Sequence, residues 1–79
     1  MQLTKVKVYG RLRQFLGSSY FEVAAKSPID VFRFLNCNFN GLEKHMMHQL
    51  YIVKINDRQI SEDELTINTE GDVKIIPIA

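Results

Sequence analysis

Ser27-Pro28-Ile29-Asp30-Val31-Phe32-Arg33-Phe34-Leu35-Asn36-Cys37-Asn38-Phe39 is the stretch on which the fold turns. It reads as the one long helix of the chain. The Ser27 hydroxyl can accept from a backbone N–H that the first turn leaves unpaired. Pro28 falls at the first helical position, where its missing N–H costs nothing. Asp30 sets a negative charge against the positive end of the helix dipole. Ile29, Phe32, Leu35 and Phe39 recur at steps of three to four, the spacing of one helical face. Val31 and Phe34 widen that face. A helix so rich in phenylalanine needs a broad apolar surface to lie on.

The flanking residues supply that surface as strands. Before the helix, Val6 and Val8 alternate with Lys5 and Lys7 across Leu3 to Tyr9, which is a strand with one face inside and one in water. Gly10 breaks the pattern. Arg11 to Ser19 is expected to be a connecting loop, with Leu12, Phe15 and Leu16 tucked under the sheet end. Tyr20 to Ala25 is a second strand, with Phe21, Val23 and Ala25 inward and Tyr20 and Glu22 outward. The two strands pair as an antiparallel hairpin with a long connection.

After the helix, Asn40 and Glu43 suggest the capped start of a short second helix with Leu42, Met46 and Leu50 on its apolar edge. Tyr51 to Ile55 is a β-branched strand, Asn56-Asp57 a turn, and Arg58 to Ile60 a short edge strand. Ser61 to Leu65 resembles a capped single turn. Thr69 to Asp72 is a further turn, in which Gly71 can take positive φ. Val73 to Ile78 is the last strand, and Pro77 is expected to mark the end of its regular pairing.

The order β-β-α-(α)-β-(β)-β predicts an α+β domain of β-grasp, or ubiquitin-like, type. The expected architecture is a mixed sheet of four to five strands on one main helix, with a short second helix. Its first and last strands should form a parallel central pair. A ferredoxin-like split βαβ is the runner-up, disfavoured because the second helix is too short and too early. Residues 1–79 are read as one domain.

Composition narrows the function classes. The chain has 79 residues, 46% hydrophobic and 24% charged, the balance of an ordinary globular domain. Ten basic and nine acidic residues leave a net charge of +1, so no strong overall field draws it to nucleic acid or anionic lipid. One cysteine excludes an internal disulfide and fits a reducing compartment. The N-terminal residues lack a signal peptide's apolar core, and no window reaches the roughly 18 apolar residues of a membrane span.

Several side chains invite chemistry. Cys37, His45 and His48 could bind zinc, but their spacing matches no standard module and a fourth ligand is missing. Cys37 could be a nucleophile, yet within a Phe-rich helix it reads better as a small core residue. Glu62, Asp63 and Glu64, with Glu70 and Asp72 nearby, could serve as acid–base groups or hold a divalent cation. They lack the alternating ligands and glycine of a calcium loop, and read as a solvated turn. Lys5, Lys7, Arg11 and Arg13, beside Tyr9 and Tyr20, could form a platform for single-stranded nucleic acid. The acidic residues elsewhere balance that charge, and no aromatic RNA motif is present. No phosphate loop, catalytic Ser/His/Asp set or paired-cysteine motif occurs. The residues alone therefore predict a binding module with no catalytic, cofactor or metal site.

Two families share this layout. In the sulfur carriers (the small subunit of molybdopterin synthase and the thiamine sulfur carrier) the chemistry resides in a C-terminal Gly-Gly. Only glycines, lacking a Cβ, pass the partner enzyme's channel. Here the last residues are Ile75-Ile76-Pro77-Ile78-Ala79, without Gly-Gly. A carrier relative lacking that tail is the alternative reading.

The second resemblance is closer. Val8-Tyr9-Gly10-Arg11-Leu12-Arg13-Gln14-Phe15 resembles the "LYG-x-L-x-x-F-G" opening of the lambda-like phage tail assembly protein I family, whose N-terminal region is ubiquitin-like. Lys26 to Leu35 resembles its "K-[ST]-x-x-[ED]-[AV]-[IF]-R-x-L" helix start. Tyr51 to Ile55 with Arg58 is similar to its next strand, and Val73 to Pro77 to its closing "[VI]-x-[IV]-x-P". The family usually continues with Ala-Gly and a long Gly/Ala-rich apolar region, whereas this sequence runs to Ala79. A stand-alone short version or a trimmed domain is therefore expected.

The resemblance implies a non-enzymatic protein–protein interaction module in phage tail-tip assembly. Its expected partners are other phage tail proteins, with no nucleic acid, membrane or small-molecule substrate. Its expected place is the host bacterial cytoplasm. The surfaces read as contact sites are the outward face of the first hairpin, Lys5, Lys7, Tyr9, Tyr20 and Glu22, and the sheet edges, which can accept a partner's strand.

Overall fold

The computed structural model of the chain describes residues 3–67 and 71–78. Five strands form one mixed sheet: β1 (Leu3–Val8), β2 (Tyr20–Ala24), β3 (Leu50–Ile55), β4 (Arg58–Gln59) and β5 (Val73–Ile78). Their order across the sheet is β2-β1-β5-β3-β4. The first and last strands, β1 and β5, run parallel at its centre, and every other pair is antiparallel. That is the strand arrangement expected from the sequence.

Three helices, α1 (Gly10–Leu16), α2 (Pro28–Asn38) and α3 (Leu42–Met46), bury their apolar side chains on one face of this sheet. Val6, Val8, Val23, Val53, Val73 and Ile75 point inward from the strands. Leu12 and Leu16 of α1, Val31 and Leu35 of α2, and Leu42 of α3 meet them. Thr4 occupies an inward position of β1, where its hydroxyl donates to the Ala25 carbonyl at 2.9 Å. That bond removes the cost of burying it.

The start of α2 is as its sequence dictates. Ser27 is the N-cap and accepts from the Asp30 N–H at 3.4 Å, with Pro28 following at the first helical position. The buried face differs from the expected one. Pro28, Val31 and Leu35 are buried, Ile29, Phe32 and Phe39 are half-buried, and Phe34 is 37% exposed. Successive helical residues are turned by about 100°, so a helix lying on a sheet buries one narrow stripe, and Phe34 falls outside it. Phe39, just past the helix, packs edge-to-face on Phe21 with ring centroids 5.6 Å apart. Cys37, expected in the core, is exposed on the far side of α2.

Residues 11–16, expected as loop, are helical. Tyr9 stands at the N-cap of α1 and makes no side-chain capping bond, so the usual start signal is missing. A helix this short has little stability of its own. Leu12 and Leu16, four residues apart, hold it against the end of the sheet. Phe15 does not tuck beneath the sheet. It stacks on His45 of α3, with ring centroids 4.5 Å apart and planes 23° apart.

Three further details correct the sequence reading. The N-cap of α3 is Gly41, with φ of 83°, not Asn40. Leu50 belongs to β3, not to the apolar edge of α3. Pro77 does not end the pairing of β5, because Tyr51↔Pro77 and Leu50↔Ile78 continue the ladder with β3. Ile75 turns its carbonyl toward β1, where it accepts from the Tyr9 N–H. By the alternation of a strand, Pro77 turns its nitrogen to the same side, beyond the end of β1, so no ladder bond is lost.

The other turns match their sequences. Asn56 and Asp57 both take positive φ, 50° and 68°, the geometry of a tight two-residue hairpin. Ser61 and Glu64 form a capping box around a single 3-10 turn over Glu62–Glu64. Thr69 and Glu70 of the expected last turn lie outside the described residues, while Gly71 has φ of 138°.

Candidate docking surface

The helices cover one side of the sheet, and no described element packs on the other. Alternation along each strand decides what that outer face carries. On β1 it is Leu3, Lys5 and Lys7, and on β2 Tyr20, Glu22 and Ala24. Lys5 stands opposite Glu22, and Lys7 opposite Tyr20. The Tyr20 hydroxyl donates to Glu22 Oε1 at 2.8 Å, and that bond, reinforced by the nearby charge, pushes the phenol's pKa up. Tyr9 follows on the same side at the end of β1. All five residues expected at a contact surface, Lys5, Lys7, Tyr9, Tyr20 and Glu22, are exposed and share this face.

The tertiary structure extends the face over two more strands. Lys7 pairs with Lys74 of β5, and Lys74 pairs with Lys54 of β3. Lys7, Lys74 and Lys54 thus form one row across the three inner strands. Directly opposed like charges on neighbouring strands destabilise a sheet. Lysine commonly guards sheet edges against aggregation, but this row lies in the middle.

Asp57, from the β3–β4 turn, reaches over the row and forms an ion pair with Lys74. Lys74 holds the Asp57 carboxyl below its ordinary pKa, and the charges of Lys54 and Lys7 add to the effect. The same bond raises Lys74, helped by Asp57's charge and by Tyr9 and Asp72.

Beside the lysine row lie two apolar pairs, Ile52↔Ile76 and Leu50↔Ile78. Leu50 is 72% exposed and Ile78 48%. The outermost pair borders a notch of about 520 Å³, which Gly10, Arg11, His48 and Pro77 complete. Lys7, Tyr9, Arg13 and Tyr20 line a shallower depression of about 300 Å³ at the other side of the face.

Sequence reading missed Lys54, Lys74, Ile52, Ile76, Leu50 and Ile78. Their signal was faint. In β3 and β5 both faces are apolar over most of their length, so nothing distinguishes inside from outside except the two lysines.

A third concavity, of about 590 Å³, lies between α2 and α3, away from the sheet. Ile29, Phe32, Leu42, Met46 and Met47 line it, with Arg33 and Glu43 among the polar neighbours. It lacks a convergent set of polar groups that would orient a small ligand.

Among the described residues, no three His, Cys, Asp or Glu side chains gather as metal ligands. Cys37, His45 and His48 are not brought together. His45 is stacked under Phe15, and its Nε2 is buried with no hydrogen-bond partner. Glu64 is drawn into an ion pair with Arg58 at 2.9 Å, which lowers its pKa together with the Ser61 backbone. Among the described residues, no helix is long and apolar enough to cross a membrane.

The fold and face define a small α+β domain with a mixed five-stranded sheet, one side of which is left open. No protein family, curated protein sequence or solved structure matches the chain significantly.

Proposed function

We propose that the chain is a β-grasp domain acting as a non-enzymatic docking module, and that it binds partner proteins through the outer face of its sheet. One observation carries this reading: the row Lys7–Lys74–Lys54 stands beside the pairs Ile52/Ile76 and Leu50/Ile78 on an uncovered face. The row sets like charges on neighbouring strands, relieved at Lys74 by Asp57, and sequences break such local rules chiefly at functional positions. An exposed apolar pair, Leu50/Ile78, continued by the half-buried Ile52/Ile76 and flanked by charge, is a usual mark of a protein contact.

The parallel central pair and the helix laid across one face support the β-grasp assignment. The resemblance of the Val8–Phe15, Lys26–Leu35 and Val73–Pro77 stretches to the phage tail assembly protein I family supports a role in building a phage tail tip. On that reading the partners are other tail proteins.

Pairwise copurification with the products of the adjacent open reading frames tests both parts. A stable complex that Lys7→Glu/Lys54→Glu abolishes, with thermal unfolding unimpaired, is the expected result. A complex indifferent to that variant overturns the outer face as the contact. Adjacent frames that encode no tail protein overturn the tail-tip role.

A further inference from the structure

The chemistry of the outer face also selects its partner. The backbone N–H and C=O groups of the strands point along the sheet toward neighbouring strands, not out of its face. This face therefore offers side chains only. A segment docking here must satisfy its own backbone, which an extended strand cannot do and a helix can.

The charges are then decisive. Lys5, Lys7, Lys54 and Lys74 bring four positive charges to the face, against three from Glu22, Asp57 and Asp72. Five further acidic residues stand elsewhere: Asp30 and Glu43 on the helices, and Glu62, Asp63 and Glu64 in the 3-10 turn. The near-zero net charge thus conceals a row of three lysines gathered on one face, where cations outnumber carboxylates.

Two features favour protein over nucleic acid as the occupant. On the side of Ile52, Ile76, Leu50 and Ile78 the surface beside the lysines is aliphatic, so there it offers little for bases to stack on. On the other side, the Glu22 carboxylate accepts from the Tyr20 hydroxyl and sets a negative charge beside the tyrosine that would stack a base, which repels phosphate.

We infer that the outer face takes an acidic amphipathic helix of a partner protein. Its apolar side chains lie on Ile52, Ile76, Leu50 and Ile78, and its carboxylates meet the Lys7–Lys74–Lys54 row. Asp57 is the internal stand-in for one of those carboxylates: it already sits on Lys74 and competes with the partner for it. This inference rests on the docking reading above and adds the chemistry of the partner.

The test is an amide-resolved NMR titration of the intact chain with four probes. The first is a side-chain-stapled helical peptide with a leucine stripe flanked by glutamates. The second is its twin with lysines for glutamates, the third the acidic helix with serines for leucines, and the fourth oligothymidylate. The expected result is that only the first shifts the amides of Lys7, Lys54, Lys74, Ile52 and Ile76. Lys7→Glu/Lys54→Glu should weaken that binding by more than about tenfold at low salt. Asp57→Asn, which keeps a residue tolerant of positive φ, should tighten it about two- to fivefold.

Equal binding of the lysine twin at the same amides overturns the charge inference and leaves the docking reading standing. Shifts confined to the α2–α3 groove, or none with any probe, overturn the inference, and the copurification then decides the docking reading separately. Preferred binding of oligothymidylate on this face overturns both.

Discussion

Asn56 and Asp72 tie two turns of the chain together. The Asn56 backbone N–H donates to the Asp72 carbonyl at 2.9 Å, and the Asp72 N–H donates to Asn56 Oδ1 at 3.0 Å. The pair closes the end of the β3–β5 ladder and sets the β3–β4 turn from which Asp57 reaches Lys74. Gly71 lies against it, and a Cβ there would stand 2.2 Å from Asn56 Nδ2.

Gly71→Ala should therefore displace the Asn56 side chain as well as strain a φ of 138°. The expected loss is about 2 kcal/mol, from the backbone conformation and one hydrogen bond together. Gly17→Ala is the control: its φ is 77° but nothing lies within 4 Å of the added Cβ. It should cost only about 1 kcal/mol. Urea unfolding of the two variants measures the difference, and equal losses would rule out the contact with Asn56.

The face that α2 presents to the sheet makes a second prediction. Leu35 is 1% exposed and Phe34 37%. Leu35→Ala should cost about 2–5 kcal/mol, and Phe34→Ala less than about 1 kcal/mol, although it removes the larger side chain. Cys37 should react with a thiol reagent in the folded protein without prior unfolding. A thiol that reacts only in denaturant would put it back in the core.

Stability should also depend on acid. Asp57 and Glu64 are held below their ordinary pKa by Lys74 and by Arg58. The unfolded chain, with ordinary carboxyls, takes up protons first as pH falls. Their contribution is therefore complete above the ordinary carboxylate range and is lost as pH drops through the lowered folded values. Lys74 has the opposite sign: its pKa is raised, so its contribution holds below the ordinary lysine range and fades as pH rises through the folded value. Unfolding followed from neutral pH into acid should show Asp57→Asn and Glu64→Gln losing less stability than the parent chain. Parallel curves would show that neither ion pair matters at this exposure.

Much of the architecture was legible in the residues. The Ser27-Pro28 helix start, the Val6/Val8 and Phe21/Val23 alternations, the Asn56-Asp57 turn and the Ser61–Glu64 cap are local devices, each readable from a few neighbours. The first helix was not legible, because it has no capping side chain and depends on Leu12 and Leu16 finding the sheet. Phe34 and Cys37 were misplaced for a related reason. Spacing names an apolar side of a helix, but the width of the surface beneath it decides how much of that side is buried.

For the candidate site the division is sharper. Lys5, Lys7, Tyr9, Tyr20 and Glu22 come from one hairpin, and strand alternation alone put them on a common side. Lys54 and Lys74 are distant from them in sequence and reach the row only through two ladders, the parallel one between β1 and β5 and the antiparallel one between β5 and β3. A shift of one residue in either register would turn Lys74 or Lys54 to the opposite face, because a strand's side chains alternate with a period of two. The amino-acid order thus determined which segments would be strands and helix. Hydrogen bonding between remote strands decided that three lysines and four aliphatic side chains would share one open face.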